Sequence, residues 1–171
     1  MAGAFIFIFR LFFESQKGRD ERYAKERKAR KALVSAVHKQ VKPHIRALGF
    51  ASAQTDAWRS SKHRSWLSGV GWIRMRGDRV DLLTLYWEKG GDAMFQLSFS
   101  SQDVDDWNAI RWGEHCNFGS LHANRDRPTS RHWFGVRQTP DEAAALAIQR
   151  LDELDRYLND GTPSRFIKDR G

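Results

Sequence analysis

The side chains best equipped for chemistry fall in one stretch of the chain. Between residues 101 and 139 lie His115, Cys116, His122 and His132, preceded by the carboxylates Asp103, Asp105 and Asp106. Imidazole and thiolate are good zinc ligands, but structural zinc sites present them in close pairs, and this spacing matches no such motif. A cysteine nucleophile needs a base beside it. His115 is adjacent to Cys116 in sequence, which in a strand points the two side chains to opposite faces, so only His122 or His132 could serve, brought in through the fold. The three aspartates could begin acid/base chemistry or bind magnesium, yet their spacing fits the first turn of a short helix, where acids complement the helix dipole. No Walker-type phosphate loop and no dinucleotide fingerprint is present. The pattern favours a chain that is not an enzyme, with no metal and no cofactor.

Binding is better represented than catalysis. The same stretch is rich in tryptophan and arginine, the residues that dominate protein-protein hot spots. Trp107, Trp112, Arg125, Arg131 and Trp133 are therefore the candidate contact surface for a protein partner, although each tryptophan serves equally well as core. Nucleic acid is the alternative partner, through Lys25, Arg27, Lys28, Arg30 and Lys31, with Arg125, Arg127 and Arg131 beside Trp133 and Phe134 offering charge next to stacking rings. The distribution of charge weakens that alternative. The chain has a formal charge of +8, and its first 46 residues hold 12 Lys and Arg against 4 Asp and Glu, which leaves the body formally neutral. A basic arm on a neutral body argues for nucleic acid less strongly than a basic domain would.

The arm has two parts in series. Residues 4–13, AFIFIFRLFF, are strongly apolar but about half as long as a helix that crosses a bilayer, and Arg10 interrupts them. They lack the flanks of a secretory signal. Packing on the body, or an extension ahead of the true start, is favoured over membrane anchoring, because an interfacial anchor combines its apolar and basic residues on one amphipathic helix. Residues 17–48 then carry a helical pattern, with Leu33, Val37, Val41, Ile45 and Leu48 on one face. Pro43 predicts a kink or break near Lys42, and Gly49 a stop.

Beyond Phe50 the period turns to alternation. Three strands are predicted, one from Trp66 to Met75, one from Val80 to Trp87 and one from Met94 to Phe99. Glycine turns at residues 76–79 and 89–92 make them antiparallel neighbours. A short strand at residues 57–60, with Trp58 inward, is expected before them, and residues 116–122 and 131–136 are candidates for two more. Thr139-Pro140-Asp141-Glu142 is a capping box with proline at the first helical position, opening a helix that runs through Leu146, Leu151, Leu154 and Leu158 to Gly161.

The run from Val37 to Phe50, with its Leu48-Gly49-Phe50 ending, then Trp58-Arg59 and the strand pattern to Phe99, resembles a bacterial domain-of-unknown-function family. Residues 154–163 resemble that family's closing helix and its exit. The resemblance spans about residues 33–165 and implies an immunity-type role near polymorphic toxins. It transfers no catalytic residue, because the matched positions are apolar, Gly or Pro. The expected fold class is α+β, an antiparallel meander sheet flanked by a basic N-terminal helix and an amphipathic C-terminal helix. The expected organisation is an appendage at 1–31, one domain at 32–165 and a tail at 166–171. A single cysteine, Cys116, excludes an internal disulfide and fits the cytoplasm.

Overall fold

The computed structural model describes residues 2–53, 70–88, 92–103, 117–123, 133–136 and 138–169. Helix α1 (Ala2–Ala36) leads into a π-helical turn (Val37–Val41) and then helix α2 (Lys42–Ala47) without a gap. Near Lys42, where a kink or break is expected, α-helical bonding gives way to the π turn and the helix continues past Pro43, for a physical reason. Proline has no N–H to offer the Lys39 carbonyl and its ring crowds that oxygen. The chain widens instead, and the Lys42 N–H bonds to the Val37 carbonyl, five residues back. The widened turn also keeps the apolar stripe in phase. Leu33, Val37, Val41 and Ile45 recur every four residues, a step that overshoots an α-helical turn by roughly 40°. With the extra residue taken up, all four stay at or below 2% exposure. Gly49 ends the helix at φ 85°, a conformation that other residues adopt only with strain.

Six strands follow: β1 (Ala51–Ser52), β2 (Val70–Arg76), β3 (Arg79–Trp87), β4 (Phe95–Asp103), β5 (Asn117–Leu121) and β6 (Ile167–Asp169). Their order in the sheet is their order in sequence, and every pairing is antiparallel, so the sheet is a simple meander. The β2–β3 turn is the one the glycine predicts, with Arg76 opposite Arg79 and Gly77 at φ 63°. The strand expected at residues 57–60 and the glycines of the second turn, Gly90 and Gly91, lie outside the described residues.

Helix α3 (Pro140–Asp160) lies between β5 and β6 in sequence. Thr139 Oγ1 accepts the Glu142 N–H at 3.3 Å while the Glu142 carboxylate accepts the Thr139 N–H at 2.7 Å, which closes the capping box. That N–H bond, with the one from Thr139 Oγ1, holds the Glu142 carboxyl below its ordinary value. Gly161, in the left-handed region at φ 72°, stops the helix.

α1, the π turn, α2 and α3 share one core with one face of the sheet. Val37, Val41 and Ile45 meet Leu151 and Leu154 there, over Trp72, Leu83 and Phe99. On the opposite face Ala53, Ile73 and Val80 form a smaller buried cluster with Leu82 beside it. The fold class is α+β, as the alternation and the capping signals require. Three details depart from the sequence expectation. Residues 131–136 contribute a single bridge, Phe134 to Phe95, to the described structure. Asp103 does not start a helix but ends β4, where its carboxylate accepts from Arg79 at 3.0 Å. Within the segment expected as a tail, residues 167–169 pair with β5 as an edge strand.

Candidate functional site

Among the described residues, buried charge is concentrated in a network that the meander assembles on its helix-facing side. Cross-strand register sets Arg74 opposite Asp81 and Asp81 opposite Ser101, and in the next row Arg76 opposite Arg79 and Arg79 opposite Asp103. Asp81 is fully buried. Its Oδ2 accepts from Arg74 Nε and Nη2 at 3.2 and 3.1 Å and from Arg76 Nε at 3.0 Å. Its Oδ1 accepts from Ser101 Oγ at 2.6 Å and Arg76 Nη2 at 3.2 Å. Burial pushes this carboxyl up, but the bonds from Arg76, Ser101 and Arg74 outweigh burial and hold it below the usual carboxylate range.

Arg74 also joins three elements. Its Nη1 donates to the Leu48 carbonyl at 3.0 Å and to the Asp155 carboxylate on α3, and its guanidinium lies 4.5 Å from the centre of the Phe50 ring. Arg74, Arg76 and Arg79 are balanced by Asp81, Asp103 and Asp155, each donor directed at an acceptor of the network. Such a cluster locks α2 and α3 onto the sheet. Its cations are committed to one another's counter-ions and are poorly placed to receive a ligand.

A second site lies where α1 meets the body. Phe134 and Phe95 exchange backbone hydrogen bonds at 2.8 and 3.0 Å, and their rings stack with centroids 5.1 Å apart. Trp87 leans on the same ring at 5.6 Å. Gly135 follows at φ 102°, and a Cβ there would lie 2.3 Å from the Ala93 carbonyl and 3.1 Å from Leu33 Cδ2. Only glycine permits so close an approach. Leu33 is in turn the first buried side chain described along α1. The bridge, the β3–β4 connection and the root of α1 therefore meet at one point. Trp133, half-buried, stands two residues before Gly135. Residues 18–32 precede the root and are exposed on all sides, apart from the half-buried Glu26 and Arg30.

Of the residues expected to contact a protein partner, Trp133 lies at this root, while Trp107, Trp112, Arg125 and Arg131 lie outside the described residues. Lys25, Arg27, Lys28 and Lys31 are exposed on α1, with Arg30 half-buried among them. The packing of Gly135 on Leu33 thus sets the segment of Trp133 beside the end of the basic stretch. His115, Cys116, His132, Asp105 and Asp106 also lie outside the described residues. His122 is buried at the end of β5, its N–H donating to the Phe166 carbonyl at 2.8 Å and its carbonyl accepting Arg150 Nε at 3.1 Å. Both bonds belong to its main chain, which they tie to α3 and to the approach to β6. Among the described residues, no three His, Cys, Asp or Glu are grouped as metal ligands.

Sequence reasoning missed the Asp81 network, although a signal was there. Asp81 has the same strand parity as Leu83 and Leu85, and Arg74 the same parity as Trp72, so a charge was due on an inward face in both strands. No protein-family model, curated protein or solved structure gives a significant match to this chain.

Proposed function

We propose that the chain is a non-enzymatic interaction protein, immunity-like in the sense that it acts by holding a partner protein. Its docking surface is the root of α1, with Trp133 as the aromatic anchor and Lys25, Arg27, Lys28, Arg30 and Lys31 as the cationic approach. The observation that carries this reading is a half-buried tryptophan two residues from Gly135, whose backbone packs on Leu33, where the exposed part of α1 ends. A rigid aromatic beside long cationic side chains suits a hot spot, because it loses little entropy on binding while the charges steer the encounter. Residues 18–32 add charge without taking part in the core. They are therefore available to a partner.

Association with nucleic acid through the same arm is the competing reading, favoured by cations on every side of the helix, which phosphates could surround. Capture from native lysate, with the full chain, the chain lacking residues 1–31 and Trp133→Ala, separates the two. A protein partner kept after nuclease treatment and lost with Trp133→Ala supports the first reading. Nucleic acid recovered by the full chain alone, with steep salt dependence, replaces it by the second.

A further inference from the structure

The structure adds one fact that changes the meaning of the N-terminal sequence: residues 4–13 and residues 17–31 belong to the same unbroken helix, α1. Eight of the ten residues at 4–13 are Phe, Ile or Leu, and residues 17–31 hold eight Lys and Arg against three Asp and Glu. We propose that α1 is a tether to an anionic membrane surface, its apolar turns entering one leaflet and its cationic turns lying among the headgroups.

Dimensions support this occupant. Ten helical residues span about 15 Å, half of a hydrocarbon core of about 30 Å, so the apolar segment reaches into one leaflet and no further. This agrees with the finding that no helix among the described residues is long and apolar enough to cross a membrane. Arg10, near the end of the apolar run, has a side chain long enough to return its charge to the headgroups. An apolar and a cationic part in series count against a helix lying flat in the interface. They suit a helix that enters obliquely, meeting water, then anionic headgroups, then hydrocarbon, in the order of its own composition.

The other polyanion, nucleic acid, would engage residues 17–31 and leave residues 4–13 without a role. From Phe13 to the root at Leu33 is about 30 Å of helix, enough to hold the neutral body clear of the surface. The root would then face a partner in solution. Residues 25–31 are common to the tether and the docking surface, whereas residues 4–13 serve the tether alone, so Phe7 and Phe9 test it apart from the partner.

Co-flotation of the full chain with phosphatidylcholine vesicles, with and without phosphatidylglycerol, tests the proposal. The bound fraction should be at least about tenfold higher on the anionic vesicles, since each cation near such a surface adds to the attraction. Phe7→Ser with Phe9→Ser leaves the charge unchanged and should abolish flotation on both. Lys28→Glu with Lys31→Glu should erase the preference for the anionic vesicles. All four positions precede Leu33, the first buried side chain described on α1, and circular dichroism of the body serves as the folding control. Anionic flotation that survives Phe7→Ser with Phe9→Ser, or no flotation together with a gel shift of short duplex DNA, overturns the proposal.

Discussion

Replacing Asp81 by asparagine removes one negative charge from the centre of the network and leaves its shape nearly intact. In the native protein the carboxylate accepts five hydrogen bonds, from Arg74, Arg76 and Ser101. Asparagine offers one oxygen and, in place of the other, an N–H₂ group facing guanidinium donors. Arg74, whose side chain is 10% exposed, keeps only Asp155 as a charged partner. Breaking a buried pair by removing one member costs about 3–5 kcal/mol, because the remaining charge stays in a poorly solvated place. Against a total stability of about 5–15 kcal/mol that is a large loss. With a urea m-value of about 2 kcal/mol/M, the midpoint should fall by roughly 2 M. Asp103→Asn is the internal control, since the Asp103 side chain is 58% exposed in its pair with Arg79. It should cost about 1 kcal/mol or less. Urea unfolding followed by tryptophan fluorescence gives both numbers. If Asp81→Asn costs no more than Asp103→Asn, the network does not hold the layers together as described.

Other expectations follow from single features. The Asp81 carboxyl is held below its ordinary value in the folded state, so its stabilisation is complete above about pH 4, the unfolded value, and is lost as pH falls through the lower folded value. Acid titration of stability should therefore fall less steeply below pH ~4 in Asp81→Asn than in the wild type. Gly135→Ala should cost clearly more than Gly77→Ala, for which backbone strain alone gives about 1–2 kcal/mol, because only at Gly135 does a Cβ meet backbone at 2.3 Å. Thermal melts of the two variants check the order. Thr139→Ala should cost about 1 kcal/mol through loss of the cap, again read from melting. Deleting residues 1–31 should leave the urea midpoint almost unchanged, as the first buried side chain described on α1 is Leu33.

The fold was legible where one period or one local motif settles the geometry. Alternation from Val80 to Phe99 and the Thr139–Glu142 cap announced the meander and α3 with little ambiguity. Pro43 marked the place where α-helical bonding changes, but a rule about α-helices does not say that a π turn will carry the chain on, and the four-residue spacing of the apolar stripe was the hint that one was needed. β6 is three residues on a sheet edge. Such a strand takes its pairing from its neighbour, and its own pattern is too short to show. The Asp81 network is a product of register, which joins residues from three strands and α3, and no local window contains it. The site at the root of α1 is similar. Trp133 and Lys31 are far apart in sequence, and only the Phe95–Phe134 bridge and the packing of Leu33 at Gly135 bring their segments together.

The central claim is that a partner protein docks at the root of α1. The most direct measurement places a photo-cross-linking amino acid at Trp133 in the full chain within its native cells, with the same group at Gln149, exposed on α3, as the reference position. A single protein cross-linked at Trp133 and not at Gln149, unaffected by nuclease, is the predicted result. Cross-links to nucleic acid alone, or the same products from both positions, would contradict it.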